Sequence, residues 1–206
     1  EIPDGDWFHV DYRLPHETSH GTVIIQHGLE SNSGSSLCID MAKAFLDLGL
    51  DVAYINFQRC SGEPNDTIGG YHLGFTDDFL LFLDIWKAQS SKPVYLAGFS
   101  LGANVIKALG EPKERAVEDY NIAGAAAFCV PLDSERNALF LARPGVNRVV
   151  YTRKFLRSLQ SWCHDEVMCF CDGTPIDKFD YHGSISSKTT EFDNAYIAPS
   201  MDSRMH

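Results

Sequence analysis

Over the first 131 residues, short apolar runs alternate with longer stretches whose apolar positions recur every third or fourth residue. "DWFHVDY" (6–12) alternates large and polar residues and predicts an early strand. "TVIIQHG" (22–28) is a β-branched run ending in glycine and predicts a buried strand followed by a loop. In "GSSLCIDMAKAFLDLGL" (34–50), Leu37, Met41, Ala44, Phe45 and Leu48 fall at helical spacing. Serines stand ready to cap that helix and Gly49 closes it. "DVAYINF" (51–57) is the next strand, and "RCSGEPNDTIGGYH" (59–72) has the composition of a loop. "TDDFLLFLDIWKAQS" (76–90) predicts a helix capped by Thr76 with acids in its first turn. "KPVYLAGFS" (92–100), "LGANVIKALG" (101–110) and "NIAGAAAFCVP" (121–131) follow as strand, helix and strand. This alternation predicts right-handed βαβ units in a parallel sheet, so the fold class is α/β.

After Pro131 the rhythm changes. Residues 134–167 read as helical pieces with no strand between them, and 175–200 as more helix and loop. The expected organisation is one partial domain over 1–206, with a sheet core in 1–133 and a lid-like helical segment in 134–190. "NIAGAAAFCV" is apolar on both faces, as a central parallel strand would be, yet no strand follows it. It is expected to be an open sheet edge.

Composition narrows the function classes. The 206 residues are 44% hydrophobic and 22% charged, ordinary for a globular protein. The formal net charge of −11 disfavours binding to phosphate backbones, so no nucleic-acid partner is expected. No apolar run approaches the ~20 residues that cross a bilayer, and no signal or transit segment stands out. The chain opens on Glu1, not methionine, and is expected to be a piece of a longer protein. Any membrane association would then come from segments outside it. Oligomeric state and compartment stay open. The six cysteines show no disulfide framework. Cys129, inside an apolar run, is expected to be a small buried hydrophobe. Cys163, His164, Cys169 and Cys171 lie close together, but without a CxxC pair or a second ligand cluster they predict helix faces more than a zinc site.

The chemistry concentrates in "GFSLG" (98–102). A serine between glycines two residues away, after a strand and before a helix, predicts a sharp turn that exposes its hydroxyl. Gly98 and Gly102 must be small because strand and helix pass close there. Ser100 is the candidate nucleophile. The helix start offers free N–H groups and a positive dipole end, so Leu101 N–H is a candidate oxyanion donor. "HGLE" (27–30) ends an earlier strand, and Leu29 N–H is the second candidate.

With these motifs, "IPDGDWFHVDY", "HGLESNSGSS", "NFQRCSGEPN", "YHLGFTDD", "GFSLGANV" and "FDNAYIAP" occur in an order that resembles the YheT-like α/β hydrolases. That family includes plant embryogenesis-associated esterases and animal lipid hydrolases of the AB hydrolase 4 type. The resemblance runs from residue 2 to 199. It implies the α/β-hydrolase fold and an esterase or lipase acting on acyl esters through a Ser–Asp–His triad. It carries the nucleophile to Ser100 and the oxyanion donors to Leu29 and Leu101, with no metal or organic cofactor and a small-molecule or lipid ester as partner. The chain departs from the family pattern at Gln58-Arg59, where Arg-Gly is usual, and at Ala103, where a glycine is usual.

The family's acid lies in an Asp-Asp-Pro-like turn and its histidine in a Gly-Gly-His-like turn. Neither occurs here, so the triad Asp and His are expected to lie outside this chain. His27 precedes the nucleophile, the wrong order for this fold. His72 is expected to be structural. His164, His182 and His206 follow Ser100, but none ends a strand. Asp133 follows the last strand and is expected to cap a helix. Two other classes stay open: a non-catalytic binding protein of the same fold, and a hydrolase of thioesters or peptides.

Overall fold

The computed structural model describes residues 5–13, 18–63, 65–66, 71, 76–109, 120–155 and 157–158. They divide into two compact units, with the boundary between Leu132 and Asp133.

Among the described residues, the first unit forms a five-stranded sheet in the order β1-β3-β2-β4-β5. Its strands are β1 (Val10–Arg13), β2 (Thr22–Gln26), β3 (Asp51–Ile55), β4 (Val94–Phe99) and β5 (Ile122–Phe128). β1 is antiparallel to β3, and every other pairing is parallel. The helices are α1 (Ser36–Asp47), α2 (Asp77–Gln89) and α3 (Leu101–Leu109).

The two-residue period of β2 and β3 sorts their side chains onto two faces. Val23, Ile25, Val52 and Tyr54 pack with Cys38 and Ala42 of α1. Ile24, Ala53 and Ile55 pack with Phe79, Phe82 and Leu83 of α2 and with Leu101 and Ile106 of α3. All five residues of β2 and of β3 are buried, which is why these runs carry no polar alternation.

Three local expectations need correction. The early strand begins at Val10, not at residue 6. The buried Asp6 carboxylate accepts hydrogen bonds from Trp7 N, Asn65 Nδ2 and Asp66 N, so this stretch is tied to a loop. Thr76 stands at the start of α2 but makes no side-chain cap, because its backbone is already helical. Cys129 is exposed. It lies past the last residue of β5 in a left-handed conformation, φ 54°, and no strand lies beyond β5 among the described residues.

In the second unit, α4 (Ser134–Ala142) is capped by Asp133, whose carboxylate accepts from Arg136 N at 2.8 Å. A π-type helical turn follows at Arg148–Thr152. Thr152 is buried and its hydroxyl donates to Leu141 O at 2.7 Å, joining the two pieces as a hairpin. The predicted helical character of 134–155 holds. Residues 159–206 lie outside the described residues, with the candidate zinc cluster and His164, His182 and His206; His72 does too.

Candidate active site

Parallel strands bring their carboxyl ends to one edge of the sheet. Among the described residues, four of the five non-glycine residues with positive φ lie at this edge. Glu30 follows β2, Arg59 follows β3, Ser100 follows β4 and Cys129 follows β5, with φ of 55°, 67°, 50° and 54°. Strained backbone of this kind persists only where surrounding structure over-determines it.

Ser100 is exposed, between the last residue of β4 and the first of α3. Its N–H donates to Phe128 O of β5 at 2.9 Å, and its carbonyl accepts from Asn104 N in the first turn of α3. The glycines around it are set by close approach. A β-carbon on Gly98 would stand 2.7 Å from the Gly102 backbone. One on Gly102 would stand 2.3 Å from Gln26 O and 2.4 Å from His27 O. α3 therefore starts in direct contact with the end of β2. The loop after β2 also meets the serine: a β-carbon on Gly28 would lie 3.3 Å from Ser100 Cβ. Gly98, Ser100, Leu101 and Gly102 are thus gathered with the Gly28–Leu29 loop. Leu101 is buried and Leu29 is half-buried against the same core.

That loop is held by His27, weighed in the sequence only as a base, and by Phe57, Tyr71 and Asn56, which no local pattern marks. His27 is fully buried. Its Nδ1–H donates to Gly28 O at 2.8 Å and its Nε2 accepts from Phe57 N at 3.0 Å. Burial lowers its pKa to about 4, so the ring is neutral with both nitrogens engaged and has none left for Ser100. Phe57 lies edge-on to His27 and stacks on Tyr71 at 4.5 Å. Tyr71 Oη accepts from Glu30 N at 3.0 Å and donates to Glu30 Oε1 at 3.1 Å. Farther along, Asn56 Oδ1 accepts from Ser33 N at 2.8 Å, while Asn56 Nδ2 donates to Asp11. The loop after β3 thus holds the loop after β2. The placement of "YHLG" among the motif stretches was the only sequence signal for Tyr71. Burial pushes the Cys60 thiol up to about 12, which excludes it as a thiolate nucleophile near neutral pH.

Two other histidines are described. His20 N donates to Gly49 O at the amino ends of β2 and β3, the opposite edge of the sheet from Ser100. His9 precedes β1 and stands 3.8 Å from Glu63. β1 is three strands from β4, roughly 14 Å at the usual strand spacing, beyond hydrogen-bond reach of Ser100.

No protein-family model matches the chain. Over 180 residues, 86% of its length, it is 31% identical to the putative esterase YheT of Escherichia coli (strain K12). The chain belongs to the YheT-like α/β hydrolases. It spans about half, 52%, of YheT's length. Est1E from Butyrivibrio proteoclasticus, solved with ferulic acid, is similar at a TM-score of 0.53 with 17% identity, over 66% of this chain and 54% of that one. The Pyrococcus furiosus esterase Pf2001 is similar at 0.51 with 18% identity, over 72% and 60%. At these identities the two structures establish the fold. Within this YheT-like chain the departures from the family pattern are accommodated. Gln58 is buried and its Nε2 donates to Asp78 at 3.1 Å. Arg59 takes the left-handed φ that the family's usual glycine would adopt without cost. Ala103 is fully buried.

Proposed function

We propose that Ser100 is the nucleophile of a hydrolase of carboxylic esters. The observation that carries this reading is the exposed, left-handed Ser100 between a buried strand and a helix start, with the Gly28–Leu29 loop packed beside it. Ser100 Oγ attacks the ester carbonyl carbon and its proton passes to a base. The N–H groups of Leu29 and Leu101 hold the oxyanion of the tetrahedral intermediate. The C–O bond to the alcohol breaks, the alcohol leaves with that proton, and water then cleaves the acyl-enzyme. On this reading the turn is a nucleophile elbow. The triad Asp and His lie outside residues 1–206, since neither family turn motif occurs in the sequence and the described histidines are otherwise placed. The acyl group is lipid-like, as the family resemblance implies.

The test is fluorophosphonate labelling and p-nitrophenyl ester turnover of the 206-residue chain beside Ser100→Ala. Triad members act as a unit, so kcat is expected to lie on the order of 10⁶ below that of a complete triad. Slow labelling, confined to Ser100 by peptide mapping and lost in Ser100→Ala, is the expected result. Labelling at another residue sinks the nucleophile assignment. Rapid labelling at Ser100 keeps the nucleophile and overturns the placement of the base.

A further inference from the structure

The second unit has a charge and surface character unlike the rest of the chain. Residues 134–157 carry six cations and one acid, leaving eleven cations and twenty-seven acids elsewhere. Arg136, Arg143, Arg148, Arg153, Lys154 and Arg157 are all exposed. So are Leu139, Phe140, Val146, Val149, Val150 and Tyr151, each at least 44% accessible. Exposed large apolar groups need no comment singly, but six within thirteen residues form a patch.

The spacing orders this surface. Arg136, Leu139, Phe140 and Arg143 stand at i, i+3, i+4 and i+7, one helix face with a cation at each end and apolar groups between. Val146, Val149, Val150 and Arg153 repeat the spacing across the π-type turn. Phe140, Arg143 and Val146 line a shallow notch of about 230 Å³ where the two pieces meet. The Arg143 guanidinium lies 5.8 Å from the Phe140 ring centroid. Thr152 pins the hairpin from its buried side.

We propose that this hairpin docks on an anionic lipid bilayer surface. The apolar groups enter the boundary between headgroups and acyl chains, and the flanking arginines and lysine meet lipid phosphates. Charge complementarity selects this partner. In a chain of net charge −11, a concentrated cationic segment orients the molecule toward a negative surface. Polynucleotide would satisfy the cations but would leave exposed valines and leucine against a charged backbone. The surface is built wholly within the second unit and does not involve Ser100. This differs from the membrane association expected through segments outside the chain.

The experiment is vesicle co-sedimentation of the 206-residue chain carrying Ser100→Ala, so that lipid turnover plays no part and its outcome is separate from that of the esterase reading. Vesicles of phosphatidylcholine with phosphatidylglycerol are compared with phosphatidylcholine alone, with single-stranded DNA as a polyanion control. Binding to the anionic vesicles is expected, with none to neutral ones, and it should weaken as NaCl rises from about 0.1 to 1 M. The triple change Arg136→Gln, Arg148→Gln, Lys154→Gln should weaken it roughly a hundredfold, about fivefold per cation. Val149→Ser with Val150→Ser should weaken it at least about tenfold at unchanged charge. These side chains are exposed, and far-UV circular dichroism should match the parent. Absence of vesicle binding, equal binding to neutral vesicles, or binding indifferent to both sets of changes overturns the proposal. DNA binding of equal strength, with the valine changes silent on vesicles, overturns it in favour of a polyanion site.

Discussion

β2 and β5 flank the strand that delivers Ser100, both parallel to it and both apolar in sequence. β2 is buried at every residue. β5 is exposed at most of its positions, with Phe128 at 45%. Helices α1, α2 and α3 cover the two faces around β2, whereas β5 has β4 on one side and no described strand on the other. Each strand still contributes to the serine's position. β2 acts by contact, through the Gln26 and His27 carbonyls against Gly102, and β5 acts through the hydrogen bond from Ser100 N to Phe128 O. The contrast shows that the turn is held by steric limits on one side and by one exposed strand on the other.

The two sides should respond very differently to substitution. Gly102→Ala drives a β-carbon into two backbone carbonyls that cannot move independently of β2. It should cost more than about 4 kcal/mol or prevent folding, as read by denaturant titration. A mild effect there would mean that β2 and α3 can separate, and the contrast would collapse.

The next effect is a pH dependence on the β2 side. Burial lowers the His27 pKa from 6.5 to about 4, so the unfolded chain takes up the proton first. Stability from this group is complete above about pH 6.5 and is lost as pH falls toward 4, by on the order of 3 kcal/mol. Guanidinium titrations across this window should show the slope in the parent and a flatter one in His27→Gln. Equal slopes would remove His27 as its source.

Smaller changes test the strain and the exposed side. Ser100→Gly should gain roughly 1 kcal/mol where Ser100→Ala does not, because only glycine relieves φ 50°. On β5, a β-carbon at Gly124 meets Tyr95 at 3.6 Å, an ordinary contact. Gly124→Ala should therefore gain about 0.5–1 kcal/mol in chemical melts, by the cost of glycine in a strand. Ala126→Lys should change stability by less than about 0.5 kcal/mol, yet reduce concentration-dependent association in sedimentation velocity, since a charge blunts an apolar edge. An association that Ala126→Lys leaves untouched would place the contact away from β5.

Much of this was legible from local pattern. The order of strands and helices, the need for small residues at Gly98 and Gly102, and Asp133 as a cap follow from period and turn chemistry. These act within a few residues, where a sequence displays its constraints directly. The thread of motifs from "HGLE" to "GFSLG" also carried the family. Other features were settled only when the chain closed on itself. His27 holds Phe57 across 30 residues and Tyr71 holds Glu30 across 41, and no local period encodes such pairs. Thr76 has capping chemistry, but its backbone withholds it, and Asp6 is drawn from the expected strand into a loop. β5 shows the same division most plainly. Its apolar sequence specifies strand, whereas burial depends on what packs alongside, so the sequence could determine the element and only the tertiary structure its exposure.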